Sequence, residues 1–202
     1  PIPVLIEEDI GMKRCGEQAG SAALELAQAI QGAPELVFRG LMGYEGHVLT
    51  LEPAEAKSAA CALALNHLIS TRDLLRAHGI AVEIVSAGGT GSYQLTAAYP
   101  GITELQAGGG IFMDAMYRKA FAVDDLGYAL TILTTVTSRQ AGHVVVDAGF
   151  KTMSAFHHAP HALSRDDLKL RYLSAEHGVF EVTAGAGPQI GDLLQFVAGY
   201  SD

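Results

Sequence analysis

The sequence predicts an α/β chain, the C-terminal half of a (β/α)8 barrel followed by part of an antiparallel β domain, and three observations carry it. Strand-like and helix-like segments alternate from Pro3 to Lys119, helical periodicity stops near Leu126, and the alternation opens abruptly on the apolar Pro3-Val4-Leu5-Ile6. Strands alternating with helices make a parallel sheet. Four such units are half of what a closed eight-stranded barrel of about 250 residues needs. A small open α/β sheet fits the same alternation. A start in mid-strand at Pro1, without a Met, favours the half barrel and raises the expectation of residues upstream.

Each element has its own signal. After the first strand, Ala22, Leu24, Leu26, Ala27 and Ile30 recur at helical spacing within Glu17 to Gln31, and Gly32 ends the run. Leu36 to Met42 reads as a second strand. Pro53 suits a first helical turn and opens an Ala/Leu-rich helix that reaches His78 and stops at Gly79. Ala81 to Ser86 and Ile102 to Gln106 read as strands three and four, each running into glycines, and Ile111 to Lys119 follows. Beyond a boundary at 122–127, Tyr128 to Ser138, His143 to Asp147, Val179 to Thr183 and Leu193 to Val197 are short β-branched or apolar runs, as in an antiparallel sheet. The expected domains are therefore 1–125 and 126–202.

Composition narrows the function. The 202 residues are 49% hydrophobic and 17% charged, which supports a sizeable core and excludes disorder. Thirteen basic against 22 acidic residues leave a net charge of −9, with the basic ones scattered, so a nucleic-acid or anionic-membrane surface has no electrostatic support. With no apolar run of ~18–20 residues and no signal-peptide pattern, the expected location is cytoplasmic. Cys15 and Cys61 lack CxxC spacing and read as buried apolar filler.

In a parallel α/β sheet the reactive groups gather where strands end. Here those endings are Glu8 to Arg14, Gly43 to His47, Ser86 to Gly91 and Gln106 to Gly110. The last two are glycine-rich, which lets backbone N–H groups approach an anion, with Thr90 and Ser92 as further hydroxyl donors; the alternative is that the glycines merely turn the chain. Neither has the spacing of a nucleotide P-loop. Arg14 suits a carboxylate or phosphate, or else a surface ion pair with Glu7, Glu8 or Asp9. Tyr44 and His47 can stack on or bond to a flat ring, or fill core. His157, His158 and His161 lack a carboxylate or Cys at ligand spacing, which argues against a metal cluster. His177 is a candidate acid–base group that Glu176 could orient, against a plain loop histidine.

Six motifs then occur in a telling order: Gly11-Met12-Lys13-Arg14-Cys15-Gly16, Gly40 to His47, Ser86-Ala87-Gly88-Gly89-Thr90-Gly91, Thr103 to Gly108, Val146-Asp147-Ala148-Gly149-Phe150-Lys151 and Glu176-His177-Gly178. Together they resemble the D-threonine aldolase and D-serine dehydratase family, pyridoxal-phosphate enzymes with an alanine racemase-like barrel, over nearly the whole chain. The resemblance implies phosphate-binding loops at Thr90, Gly91, Gly108 and Gly109, an arginine near cofactor and substrate at Arg14, and an aromatic beside the pyridine ring at Tyr44. It sets Gln106 where the racemases have an arginine facing the pyridine nitrogen, which points to the aldolase and dehydratase branch, with Tyr44 and His177 as catalytic candidates. The family's Schiff-base lysine lies after the first barrel strand, and no residue here matches it; Lys13 and Lys151 belong to other motifs. The family's divalent-metal pair (Mn, Mg or Zn) aligns with Tyr200 and Asp202, where Tyr is a poor ligand and Asp202 a good one.

The expected activity is thus lyase chemistry on a small β-hydroxy D-amino acid in an intact homodimer, with this stretch inactive by itself. A non-catalytic pyridoxal-phosphate-binding or interaction protein is the alternative, and an amino-acid racemase a third reading.

Overall fold

In the computed structural model, which describes residues 1–201, the strand–helix alternation becomes a sheet of four parallel strands, β1 (Ile2–Glu8), β2 (Leu36–Gly43), β3 (Ile84–Ala87) and β4 (Glu104–Leu105). They pair strictly in chain order, 1-2-3-4, with Ile6 opposite Leu41 and Met42 opposite Ser86. An open doubly wound sheet reverses its order at a switch point; none occurs among these strands, and consecutive parallel neighbours are the winding of a barrel.

Helices α1 (Ser21–Gln31), α2 (Ala54–Ala77) and the short α3 (Tyr93–Ala97) cross between the strands. Ala23, Ala27 and Ile30 of α1 lie on one face, and with Cys61, Ala64, Leu65, Leu68 and Leu75 of α2 they bury Ile6, Leu41 and Val85. A buried leucine in such a cluster contributes roughly 1.5–3 kcal/mol by leaving water. Helix α2 ends as its sequence predicts, with Gly79 at φ +76° and the amides of Gly79 and Ile80 returning to the Arg76 and Leu75 carbonyls. Helix α1 starts four residues later than its periodicity suggests. Glu17 is instead drawn into a parallel bridge with Glu8, its amide donating to the Glu7 carbonyl.

The chain divides into two compact units, Pro1–Gly108 and Gly109–Asp202. In the second, six strands form an antiparallel sheet in the order β7-β10-β5-β6-β9-β8: β5 (Ile132–Gln140), β6 (His143–Val146), β7 (His161–Ala162), β8 (Leu168–Leu173), β9 (Gly178–Val182) and β10 (Leu193–Val197). The Phe180 and Phe196 rings, 4.6 Å apart, centre its core with Val136, Val144, Val146 and Met153. Strand β8 escapes sequence reading because Lys169 and Arg171 interrupt its apolar positions, as befits an edge strand. The helix expected at Ile111–Lys119 shrinks to α4 (Ala115–Lys119), since Met113 adopts φ +57°. Buried Asp114 caps it: one oxygen accepts from Tyr117 N at 2.9 Å, the other from Ser201 N and Oγ at 2.8 and 3.0 Å. No helix among the described residues is long and apolar enough to cross a membrane.

Candidate functional site

In the first unit the strand ends converge as a parallel sheet requires. The loop after β1 is held from within: Asp9 Oδ1 accepts from the amides of Gly11 and Lys13 at 3.0 and 2.9 Å, and these bonds hold its carboxyl below the usual range. Gly16 is obligatory because a Cβ there would lie 2.7 Å from the Asp9 amide. So anchored, the loop sets the Arg14 guanidinium 5.8 Å over the Tyr44 ring, with Nη2 3.9 Å from Glu7 Oε1. Arg14 thus makes a long ion pair with Glu7 and also stands over the Tyr44 ring.

A pocket here is lined by Glu7, Glu8, Asp9, Ile10, Met12, Arg14, Cys15 and Tyr44. Cys15 is exposed rather than buried filler, and its thiol donates to Glu7 Oε1 at 3.0 Å. Cys61 is buried as expected, and burial pushes its thiol up, with Glu45 adding to the rise. Glu8 is only 1% exposed, and Thr71 is the hydroxyl that faces its carboxyl. Burial pushes its carboxyl up to about 7, the Thr71 hydroxyl opposing only in part.

Tyr44 also touches the glycine-rich loop after β3. Gly89 lies so close beneath the ring that a Cβ would fall 2.8 Å from Tyr44 Cε2, and Gly88 adopts φ +79°. These glycines are therefore required by close approach as well as by the turn. Thr90 and Gly91 follow, both buried. Ser92 is not the free donor its place in the loop suggests: its Oγ donates to Glu45 Oε1 at 2.6 Å. Glu45, wholly buried, also accepts from Thr96 Oγ1 at 2.6 Å and from Gly88 N at 3.1 Å.

Past β4, Gln106 Nε2 donates to Ser86 Oγ at 3.0 Å, and Ser86 Oγ donates to Glu104 Oε1 at 2.6 Å. Gly108 ends the first unit with its amide on the Gln106 carbonyl at 3.0 Å. Gly109 begins the second, its Cα against the Tyr117 ring.

The remaining candidates lie in the second unit. His177 sits, exposed, in the turn between β8 and β9, its carbonyl accepting from Ser174 N and Oγ. Glu176, expected to orient it, is held by Lys151 Nζ at 2.6 Å. His157 packs on Phe156 and His161 on Tyr128, separate aromatic partners, and burial with nearby Lys119 lowers His161 below the usual imidazole range. Among the described residues no three His, Cys, Asp or Glu could together hold a metal ion. Tyr200 packs edge-on to His157 with ring centroids 5.6 Å apart, and Asp202 lies outside the described residues. Glu45, Glu8, Ser86 and Glu104 are the residues that sequence reasoning missed.

Consecutive parallel strands, with an arginine, an aromatic ring and two glycine loops on their C-terminal rim, define the barrel half of an alanine racemase-like protein. The chain belongs to the family described as alanine racemase, N-terminal domain, whose profile matches residues 1–116; that of the serine dehydratase domain matches residues 129–202. It is 37% identical to the 3-hydroxy-D-aspartate aldolase of Paracoccus denitrificans over 98% of this chain and 53% of that one. It is 36% identical to a D-threonine aldolase from an Arthrobacter species, over 100% of this chain and 54% of that one. The crystal structure of D-threonine aldolase from Filomicrobium marinum superposes with a TM-score of 0.91 at 31% identity, over 98% of this chain and 55% of that one. The chain thus spans about half the length of the curated relatives it matches.

Proposed function

We propose that this chain is the phosphate- and ring-holding part of a pyridoxal-phosphate-dependent lyase that cleaves or dehydrates a small β-hydroxy D-amino acid. The observation that carries the reading is the packing of Tyr44 on Gly89, which sets an aromatic face under Arg14 directly against a glycine loop able to receive a phosphate. The first unit's residues fit the cofactor: Thr90, Gly91 and Gly108 would hold its phosphate, Tyr44 and Arg14 would flank its ring and the substrate, and Gln106 would meet the pyridine nitrogen, with Gly109 a phosphate residue only by the resemblance. Bound there, pyridoxal phosphate supplies an electron sink that weakens bonds to the substrate's α-carbon.

The chain's own groups do the rest. Arg14 is the cation for a substrate carboxylate or the phosphate. Tyr44 is the proposed acid–base group of the first unit, moving a proton at Oη, and His177 is by itself a proposed acid–base group of the second. By the resemblance, the covalent anchor is a lysine after the family's first barrel strand, which no residue of this chain matches. A divalent metal, with Asp202 as its ligand, a cytoplasmic location and a homodimer complete the proposal. The relatives' names, D-threonine aldolase and 3-hydroxy-D-aspartate aldolase, support the substrate class.

The test is to give the full-length protein pyridoxal phosphate and either D-threonine or D-serine, and to assay glycine with aldehyde, or oxoacid with ammonia. Turnover of either supports the reading. Interconversion of enantiomers without cleavage would make it a racemase, and absence of turnover with intact cofactor binding would favour the non-catalytic alternative.

A further inference from the structure

We infer that Glu45 is the positioning residue of the phosphate loop, the strut that fixes the loop's distance from the ring-bearing Tyr44. The inference rests on the proposed cofactor reading and names a residue that the resemblance does not assign.

Three donors converge on this one buried carboxylate. Ser92 Oγ and Thr96 Oγ1 both reach Oε1 at 2.6 Å, and Gly88 N reaches Oε2 at 3.1 Å. Hydroxyls donating at 2.6 Å to a carboxylate are at the strong end of hydrogen bonding. They come from the first residue of the loop, its last residue and the helix that follows, so the loop is gripped at both ends. Ser92 Oγ also accepts from Gly89 N at 3.2 Å, and Ser92 N donates to Gly89 O at 3.0 Å, which closes the turn that holds the buried Thr90 and Gly91.

Glu45 directly follows Tyr44, whose ring rests on Gly89. One short segment after β2 therefore holds the β3 loop twice, by a ring at Gly89 and by a carboxylate at Gly88 and Ser92. A ligand that carries a phosphate at a fixed distance from an aromatic ring is measured by that spacing. Glu45 need not touch it. The Ser92 and Thr96 hydroxyls are thereby committed to Glu45 and not to the phosphate.

The experiment compares pyridoxine 5′-phosphate with pyridoxine, which lack the aldehyde and so do not react with surface lysines. Titration calorimetry on the full-length protein gives the ratio of the two dissociation constants, the phosphate advantage. Glu45→Gln keeps the size but sets an NH2 group where only acceptors fit. It should cut the advantage by about 10-fold or more, as loss of a hydrogen bond to a charged group does, while pyridoxine affinity changes by less than about 3-fold. Ser92→Ala and Thr96→Val, which leave Glu45 in place, should each cut it in the same sense, and Glu45→Gln combined with Ser92→Ala should cost less than the sum of the two.

An unchanged or increased advantage in a folded Glu45→Gln protein overturns the inference. So does an equal loss for both ligands, which would mean general loosening. Should Glu45→Gln not fold, Ser92→Ala decides in the same way. If the wild type shows no phosphate advantage, the cofactor reading itself falls, and the inference with it.

Discussion

Replacing Glu8 by Gln should stabilise this protein at alkaline pH and leave it almost unchanged near pH 4.5. The carboxyl is buried at the end of β1, where the Thr71 hydroxyl only partly offsets the cost of its charge, and burial raises it from an ordinary 4.5 to about 7. Between those two values the folded state keeps the proton and the unfolded state has lost it. Folding stability then falls as pH rises, with a slope approaching about 1.4 kcal/mol per pH unit, and is flat above the folded value. A rise from 4.5 to about 7 is worth about 3 kcal/mol, a large share of the ~5–15 kcal/mol that holds a domain together. Glutamine removes the titration while keeping the shape. Denaturant unfolding of wild type and Glu8→Gln from pH 4.5 to 8, with hydrogen exchange at the Ile6–Glu8 amides as the local probe, measures the difference. It should grow from near zero to about 3 kcal/mol across that window. A difference that is constant with pH would refute the reasoning, because it would show that the Glu8 carboxyl titrates alike in the folded and unfolded states.

Gly89→Ala sets a methyl 2.8 Å from Tyr44 Cε2 and should displace the ring, lowering affinity for pyridoxine 5′-phosphate by about 10-fold or more in calorimetry. Gly40→Ala places its Cβ onto the Ile84 carbonyl, where backbone cannot give way, so β2 and β3 should fail to pair and soluble expression should be lost. Asp114→Ala removes the cap of α4 together with both Ser201 bonds, and should lower the second unit's stability by about 2 kcal/mol or more in thermal melts, with faster exchange at Ser201 N.

How much of this could be read from sequence depends on whether a residue's role is local. The glycines of the β3 loop were legible because close backbone approach is a property of glycine itself, and Gly79 because a helix stop is local. Glu45 was not: a glutamate after a strand reads as solvated surface, and the partners that bury it stand 43, 47 and 51 residues away. Glu8 sits among three consecutive acids. The two-residue period of a strand places it with Ile6 on the buried face, and that signal was available in the sequence. Cys15 was misread because its partner, Glu7, becomes a neighbour only when Glu17 closes the loop against β1. Strand β8 was lost to its charges and α4 was overextended past a left-handed Met113.

Gln106 shows how a network can settle what a lone residue leaves open. A glutamine amide has a donor end and an acceptor end, and which one faces a ligand follows from what holds the other. The Ser86 hydroxyl gives its one proton to Glu104 Oε1 and its lone pair receives Gln106 Nε2, so Gln106 Oε1 is the end outside this chain of bonds. Under the proposed function, the pyridine nitrogen would meet an acceptor, which favours a protonated ring nitrogen and a stronger electron sink. An arginine at the same place would offer donors alone and favour the unprotonated ring. On that proposal, Glu104 and Ser86 would set which end of Gln106 the ring nitrogen meets without touching the ligand themselves.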